Sequence, residues 1–129
     1  LKTKTEEIFE LSAPYDNEFQ GNRTRMLFVC SAGLLRSPTA AKVAISLGYN
    51  ARSCGSEEYA LIPLSINLIA WANKIYFVNE FNYIMALERF KFDPEGIKWI
   101  KEKSTVWDLE DVYNYNSPTL VGVLEKLLS

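Results

Sequence analysis

The segment Leu27-Phe28-Val29-Cys30-Ser31-Ala32-Gly33-Leu34-Leu35-Arg36-Ser37-Pro38-Thr39-Ala40 constrains the fold of this chain more than any other. Residues 26–29 are apolar without alternation, the pattern of a strand covered on both faces. Pro38 suits a first helical turn, where its missing N–H removes no bond. Ala40, Ala41, Val43, Ala44 and Leu47 give the following helix a packing face, and Gly48 suits a left-handed C-cap. A strand, a tight loop and a helix in that order turn backbone N–H groups and a helix N-terminus toward one spot. Such a spot binds anions, phosphate above all.

The residue types in the loop fit that chemistry. Cys30 stands at the strand's end, beneath the helix N-terminus and near Arg36, a setting that favours the thiolate. A thiolate among phosphate-binding amides is a nucleophile aimed at phosphorus. Arg36, with its planar fork, can hold two oxygens of a phosphoryl group and holds them best in the transition state. Ser37 brings a hydroxyl able to bond the sulfur and steady it as a leaving group, and Gly33 tolerates the positive φ of an inward-turned loop. Ser31, Ala32, Gly33, Leu34, Leu35, Arg36 and Ser37 are therefore the expected phosphate loop. A cysteine followed six positions later by an arginine arises by chance in about 8% of chains of this composition. The apolar strand before it and the Ser-Pro after it are what make the pattern specific.

Composition narrows the rest. The 129 residues suit one domain with a real core, at 48% hydrophobic and 23% charged. A net charge of −2 gives no electrostatic reason to expect nucleic acid or an anionic membrane surface as partner. There is no histidine, which excludes Ser/His/Asp and Cys/His catalysis and histidine-based zinc sites. No metal and no cofactor is expected. The longest apolar stretch, residues 61–72, is interrupted by Pro63, Ser65 and Asn67 and is too short for a bilayer. With no signal-peptide pattern and two distant cysteines, the expected compartment is cytoplasmic.

Residues 1–24 read as an N-terminal extension, with a short amphipathic helix over 3–11 through Ile8, Phe9 and Leu11 and then a polar loop. They suit a loosely packed appendage, or else a lid or docking arm. Residues 25–129 read as an α/β domain. Strands are expected at 26–29, 49–53, 75–78 and 105–107. Ser65 is expected to cap a helix reaching Asn73 that buries Ile66, Ile69 and Ala70, and Asn79 to cap one reaching Phe90. Asp93-Pro94 begins a turn or helix with Ile97 and Ile100 facing inward. Ser117-Pro118 opens a last helix through Leu120, Leu124, Leu127 and Leu128. Strands alternating with helices imply a parallel sheet with right-handed crossovers, a three-layer α/β/α fold with four strands.

The loop resembles that of the low-molecular-weight protein tyrosine phosphatases, whose signature is Cys-x5-Arg-Ser near the N-terminus. It is most similar to a short bacterial and phage branch in which Val-Cys-Ser…Leu-Arg-Ser-Pro-Thr-Ala recurs. The likeness spans residues 26–128. Gly33 stands where the family often has Asn, and Leu35 where many relatives carry a second cysteine, so their protective disulfide cannot form here.

Ligands of parallel sheets sit off the carboxyl ends of the strands, which draws attention to Asp108, Glu110 and Asp111 after the last strand. A departing alkoxide or phenoxide needs a proton. The family supplies it from Asp-Pro-Tyr, which Asp111-Val112-Tyr113 resembles with Val in place of Pro. Asp111 is the implied general acid; Asp108 and Glu110 compete for the role, and a solvated acidic turn would explain all three. Tyr113 and Tyr115 are candidates to line the substrate cleft with Tyr59 as the opposite wall, although half-buried packing explains each as well. Cys54 reads as a small buried hydrophobe or as a redox partner of Cys30.

The expected activity is a metal-independent phosphomonoester hydrolase working through a phosphocysteine on Cys30. The resemblance implies a phosphorylated protein or small aryl phosphate as substrate. The alternatives are a phosphoryl-binding module without turnover, a phosphocysteine carrier, and arsenate reduction, which would need a resolving cysteine.

Overall fold

The computed structural model describes residues 1, 3, 4, 6, 11, 23–33, 35–110 and 112–129. Strand β1 is Arg25–Cys30, followed by helix α1 (Arg36–Ser46), strand β2 (Asn50–Gly55), helix α2 (Ile66–Trp71) and strand β3 (Lys74–Phe77). Helices α3 (Glu80–Arg89) and α4 (Pro94–Lys103), strand β4 (Ser104–Val106) and helix α5 (Pro118–Leu128) complete the chain. The four strands form one parallel sheet in the order β2-β1-β3-β4.

Residues 26–30 alternate between two cores, which is why none of Met26 to Val29 is polar. Met26, Phe28 and Cys30 point into a cluster with Ala40, Ala44, Leu120 and Leu124 from α1 and α5. Leu27 and Val29 point the other way, among Leu68, Ile69, Phe77, Ala86 and Ile100 of the remaining layer. The sheet is thus sandwiched as expected.

Local signals set most boundaries. Ser65, Asn79 and Asp93 each accept an amide hydrogen bond from the first turn of their helix, at 3.2, 3.1 and 2.9 Å. Gly48, at φ +99°, ends α1. The differences have physical causes. Helix α2 stops at Trp71, and it buries Leu68 and Ile69 while Ala70 is exposed. Strand β2 runs on through Cys54 and Gly55 because its ladder with β1 continues to Cys30↔Gly55. Ser117 makes no side-chain cap, and Leu47 and Leu127 are exposed where their helices turn away from the core.

Of the expected N-terminal helix, Lys4, Glu6 and Leu11 are helical, and Ile8 and Phe9 lie outside the described residues. The Glu6 amide donates to Thr3 Oγ1 at 3.1 Å, Leu11 is buried in the α1/α5 core, and the Lys4 ammonium lies 5.6 Å from the centre of the Tyr115 ring. Among the described residues no helix is long and apolar enough to cross a membrane.

Candidate active site

The strand-loop-helix at residues 30–37 is held open from outside. The carbonyl oxygens of Cys30, Ser31 and Ala32 accept hydrogen bonds from the amides of Ser56, Glu57 and Leu61, at 2.7, 3.1 and 3.2 Å. In a planar trans peptide a carbonyl and the next residue's N–H point in opposite directions. The N–H groups of Ser31, Ala32 and Gly33 are therefore turned away from the 56–61 loop. That of Gly33 points at the sulfur of Cys30, 3.2 Å away. Gly33 holds φ +75°, which an L side chain rarely adopts. Gly55 allows the loops to touch, since a Cβ there would sit 2.5 Å from the Ser31 carbonyl oxygen.

Helix α1 aims its N-terminus at the same place. Its N-cap, Leu35, gives no side-chain acceptor, and its first turn has no acidic residue. The positive end of the helix is thus not neutralised from within α1.

Cys30 stands at the base of this loop with 3% of its surface exposed. Ser37 Oγ is 3.0 Å from its sulfur, and the same hydroxyl donates to the Cys54 carbonyl oxygen at 3.2 Å. One hydroxyl has one hydrogen. With a thiol, sulfur donates to Ser37, which serves Cys54; with a thiolate, Ser37 turns its hydrogen to the sulfur. The expected partnership of Ser37 and Cys30 is present and is sensitive to the charge on sulfur.

Arg36 is 2% exposed, and its Nη1 donates to the Leu109 carbonyl oxygen at 2.9 Å. The amides of Trp107 and Leu109 donate to the Phe77 and Val78 carbonyls at 2.8 and 2.9 Å, so the chain after β4 stays alongside β3. The acidic loop is thereby fastened next to the loop that follows Cys30, as the sheet rule requires. Asp108 and Glu110 are exposed on it; Asp111, like Leu34, lies outside the described residues.

The aromatic candidates divide. Tyr113 and Tyr115 are half-buried and pack against the α1/α5 core, Tyr115 with the Lys4 and Lys42 ammonium groups 5.6 and 5.9 Å from its ring centre. Tyr59 is 75% exposed, which is not the half-buried packing open to it from sequence. It stands on the 56–61 loop whose amides hold the cradle.

Cys54 is not a redox partner of Cys30. Its Cα pairs with Val29, and both side chains lie in the α2–α4 core, whereas Cys30 faces the α1/α5 side. A disulfide would have to cross the sheet, which the pleat forbids without backbone movement. Burial pushes the Cys54 thiol well above its usual range; the nearby charge of Cys30 adds to this and Arg89 opposes it.

Asn82, which no sequence pattern singles out, also lies beside the loop that follows Cys30. It is fully buried at the start of α3, and its Nδ2 donates to Ser31 Oγ at 3.0 Å and to Ser56 Oγ at 3.1 Å. Both amide hydrogens are thereby used, tying the cradle to the loop that holds it. Arg89 adds a bond to the Ser56 carbonyl at 3.3 Å. The sequence marked Asn79 as a cap but held no signal for Asn82. Among the described residues no group of His, Cys, Asp and Glu side chains could hold a metal ion.

No protein-family model and no curated protein matches the chain. Among solved structures it is similar to the YwlE arginine phosphatase from Geobacillus stearothermophilus, with a TM-score of 0.63 and 22% identity over 81% of this chain and 88% of that one. It is also similar to a Cys-to-Ser variant of YwlE arginine phosphatase with a phosphorylated active-site serine. There the TM-score is 0.60 and the identity 16%, over 81% of this chain and 91% of that one. The chain thus shares the low-molecular-weight phosphatase-like α/β fold of these proteins.

Proposed function

We propose that this protein is a cysteine-dependent phosphatase. The observation that carries the reading is the row of outward carbonyls at Cys30, Ser31 and Ala32, which turns the next three amides away from the 56–61 loop and leaves that of Gly33 on the sulfur. Donors arranged this way match the oxygens of a phosphoryl group and repel nothing about it. The shared fold supports the same reading, because one solved neighbour carries a phosphoryl group on the residue that replaces its active-site cysteine.

In the first step the Cys30 thiolate attacks phosphorus in line with the leaving group. A sulfur–phosphorus bond forms, the bond from phosphorus to the substrate breaks, and its electron pair leaves on the substrate atom. Arg36 and the loop amides hold the equatorial oxygens throughout. A carboxylic acid on the loop after β4, with Asp111 proposed and Asp108 and Glu110 as rivals, gives its proton to the leaving atom. In the second step the same carboxylate takes a proton from water, water oxygen bonds phosphorus, and the sulfur–phosphorus bond breaks with sulfur departing as a thiolate that accepts a hydrogen bond from the Ser37 hydroxyl.

Two substrate classes follow from two observations. The loop resemblance brings phosphotyrosine or another aryl phosphate, and the neighbours' activity brings phosphoarginine. Both are phosphorylated side chains, and the steps above serve either leaving atom. The test is steady-state release of phosphate from an aryl phosphate and from a phosphoarginine peptide. Wild type is set beside Cys30→Ser, Asp111→Asn and Asp108→Asn. Cys30→Ser should be inactive and Asp111→Asn should lose most with poor leaving groups. A crippled Asp108→Asn beside an active Asp111→Asn would reassign the acid.

A further inference from the structure

We infer that a pocket beside the phosphate loop takes a cationic side chain, lysine or arginine, that flanks the phosphorylated residue of a peptide substrate. This rests on the phosphatase reading and names a feature of its substrates. The pocket has a volume of about 510 Å³ and is lined by Glu80, Tyr83, Val106, Trp107 and Asp108. That size is typical of pockets that hold a small ligand.

Its two walls are each tied to the cradle. On one wall, Glu80 is two residues before Asn82, whose amide holds Ser31. On the other, Asp108 precedes Leu109, whose carbonyl holds Arg36. Both walls are thus one or two positions along the chain from a residue bonded to the cradle, on the edge of the sheet where Cys30 lies. A residue that flanks a phosphorylated side chain held in the cradle is the part of a peptide that the pocket is placed to meet.

The lining selects a cation. Neither Glu80 nor Asp108 forms an ion pair with a described residue, so two carboxylates border one pocket with no described cation bonded to either. Of the remaining lining, Val106 is aliphatic, and the two aromatic side chains are fixed by packing. Trp107 stacks obliquely on Tyr76 and Phe28, with ring centres 4.9 and 5.8 Å apart, and Tyr83 sits edge-on to Phe77 at 5.4 Å. Ring faces and carboxylates both attract ammonium and guanidinium groups, while an acidic flank meets repulsion from both. Rings already held in place lose little freedom on binding.

The experiment uses phosphopeptides that carry Lys, Ala or Glu at each of the two positions before and after the phosphorylated residue. Hydrolysis is measured with wild type and Glu80→Lys, scaled to each protein's rate on a small aryl phosphate with no flanks. Binding is measured in parallel with Cys30→Ser and with the double variant Cys30→Ser/Glu80→Lys. At one flanking position Lys should exceed Glu about tenfold in kcat/KM and in affinity, carried by KM, and Glu80→Lys should remove that ratio or invert it. A ratio near one in wild type, or a ratio that Glu80→Lys leaves intact, would overturn the inference. If wild type hydrolyses neither peptide nor aryl phosphate, the phosphatase reading fails, and the pocket is then judged from the binding ratio alone. Absence of any peptide binding to Cys30→Ser would also overturn it.

Discussion

The Arg36 guanidinium, at the start of α1, donates to the carbonyl oxygen of Leu109, which lies 73 positions later, at 2.9 Å. One side chain thus joins the phosphate loop to the loop that carries the candidate acids. Arg36→Lys should remove both the bidentate grip proposed for this side chain and the tether, because an ammonium is a point charge without a fork. The expected loss is at least about a hundredfold in kcat, the scale for deleting a transition-state donor. Phosphate release from an aryl phosphate checks it, and a loss confined to KM would contradict it.

Ser37 stands between Cys30 and the Cys54 carbonyl with one hydrogen, which serves the carbonyl beside a thiol and the sulfur beside a thiolate. Its greatest effect should come when sulfur leaves phosphorus as an anion. Ser37→Ala should slow the second step by about tenfold or more, in line with hydrogen bonds to charged groups. Rapid-mixing kinetics should then show a larger burst of leaving group before a slower steady state. An unchanged burst with a slower first step would reverse the assignment.

Asn82 holds Ser31 and Ser56 from the core of the sheet's other layer. Asn82→Ala leaves two hydroxyls without their donor and should destabilise the protein by about 1–3 kcal/mol. Because the freed Ser31 belongs to the cradle, kcat should fall as well, while Asn82→Asp should not restore either property. Denaturant unfolding and kcat measured together check this. Full activity in a destabilised Asn82→Ala would make the residue purely structural.

Burial raises the Cys54 thiol above its usual range. The folded protein therefore keeps a proton on Cys54 that the unfolded chain gives up above about pH 8.5. Fewer protons are bound in the unfolded state, so stability declines as pH rises from there toward the folded-state value and is intact below it. Unfolding free energies across alkaline pH should show a shallower decline in Cys54→Ala. At neutral pH an alkylating reagent should leave Cys54 unmodified until the protein is unfolded, and modification of native Cys54 would contradict the placement.

The parts of this fold that were legible in the sequence are those fixed by neighbours along the chain. The apolar run into Cys30, Pro38 in the first turn of α1, the caps at Ser65 and Asn79 and the turn or helix start at Asp93-Pro94 are local patterns. Their consequences survive in the structure. What was not legible depends on register and strand order. Asn82 reaches Ser31 only because β3 lies beside β1 and delivers α3 to the loop. The side of the sheet on which Cys54 falls follows from its pairing with Val29, a long-range match that no spacing encodes. Leu47 and Leu127 fit a helical stripe yet are exposed, since a stripe gives direction and not the extent of the surface it meets.

The central claim is that the sulfur of Cys30 takes the phosphoryl group. Rapid quenching of wild type into denaturant during turnover of an aryl phosphate, followed by peptide mass spectrometry, tests it directly. The account predicts a phosphoryl group on Cys30 in wild type, in larger amount in Ser37→Ala and absent from Cys30→Ala, which should not turn over. Phosphate release by Cys30→Ala, or turnover with no adduct on Cys30 at any time, would contradict it.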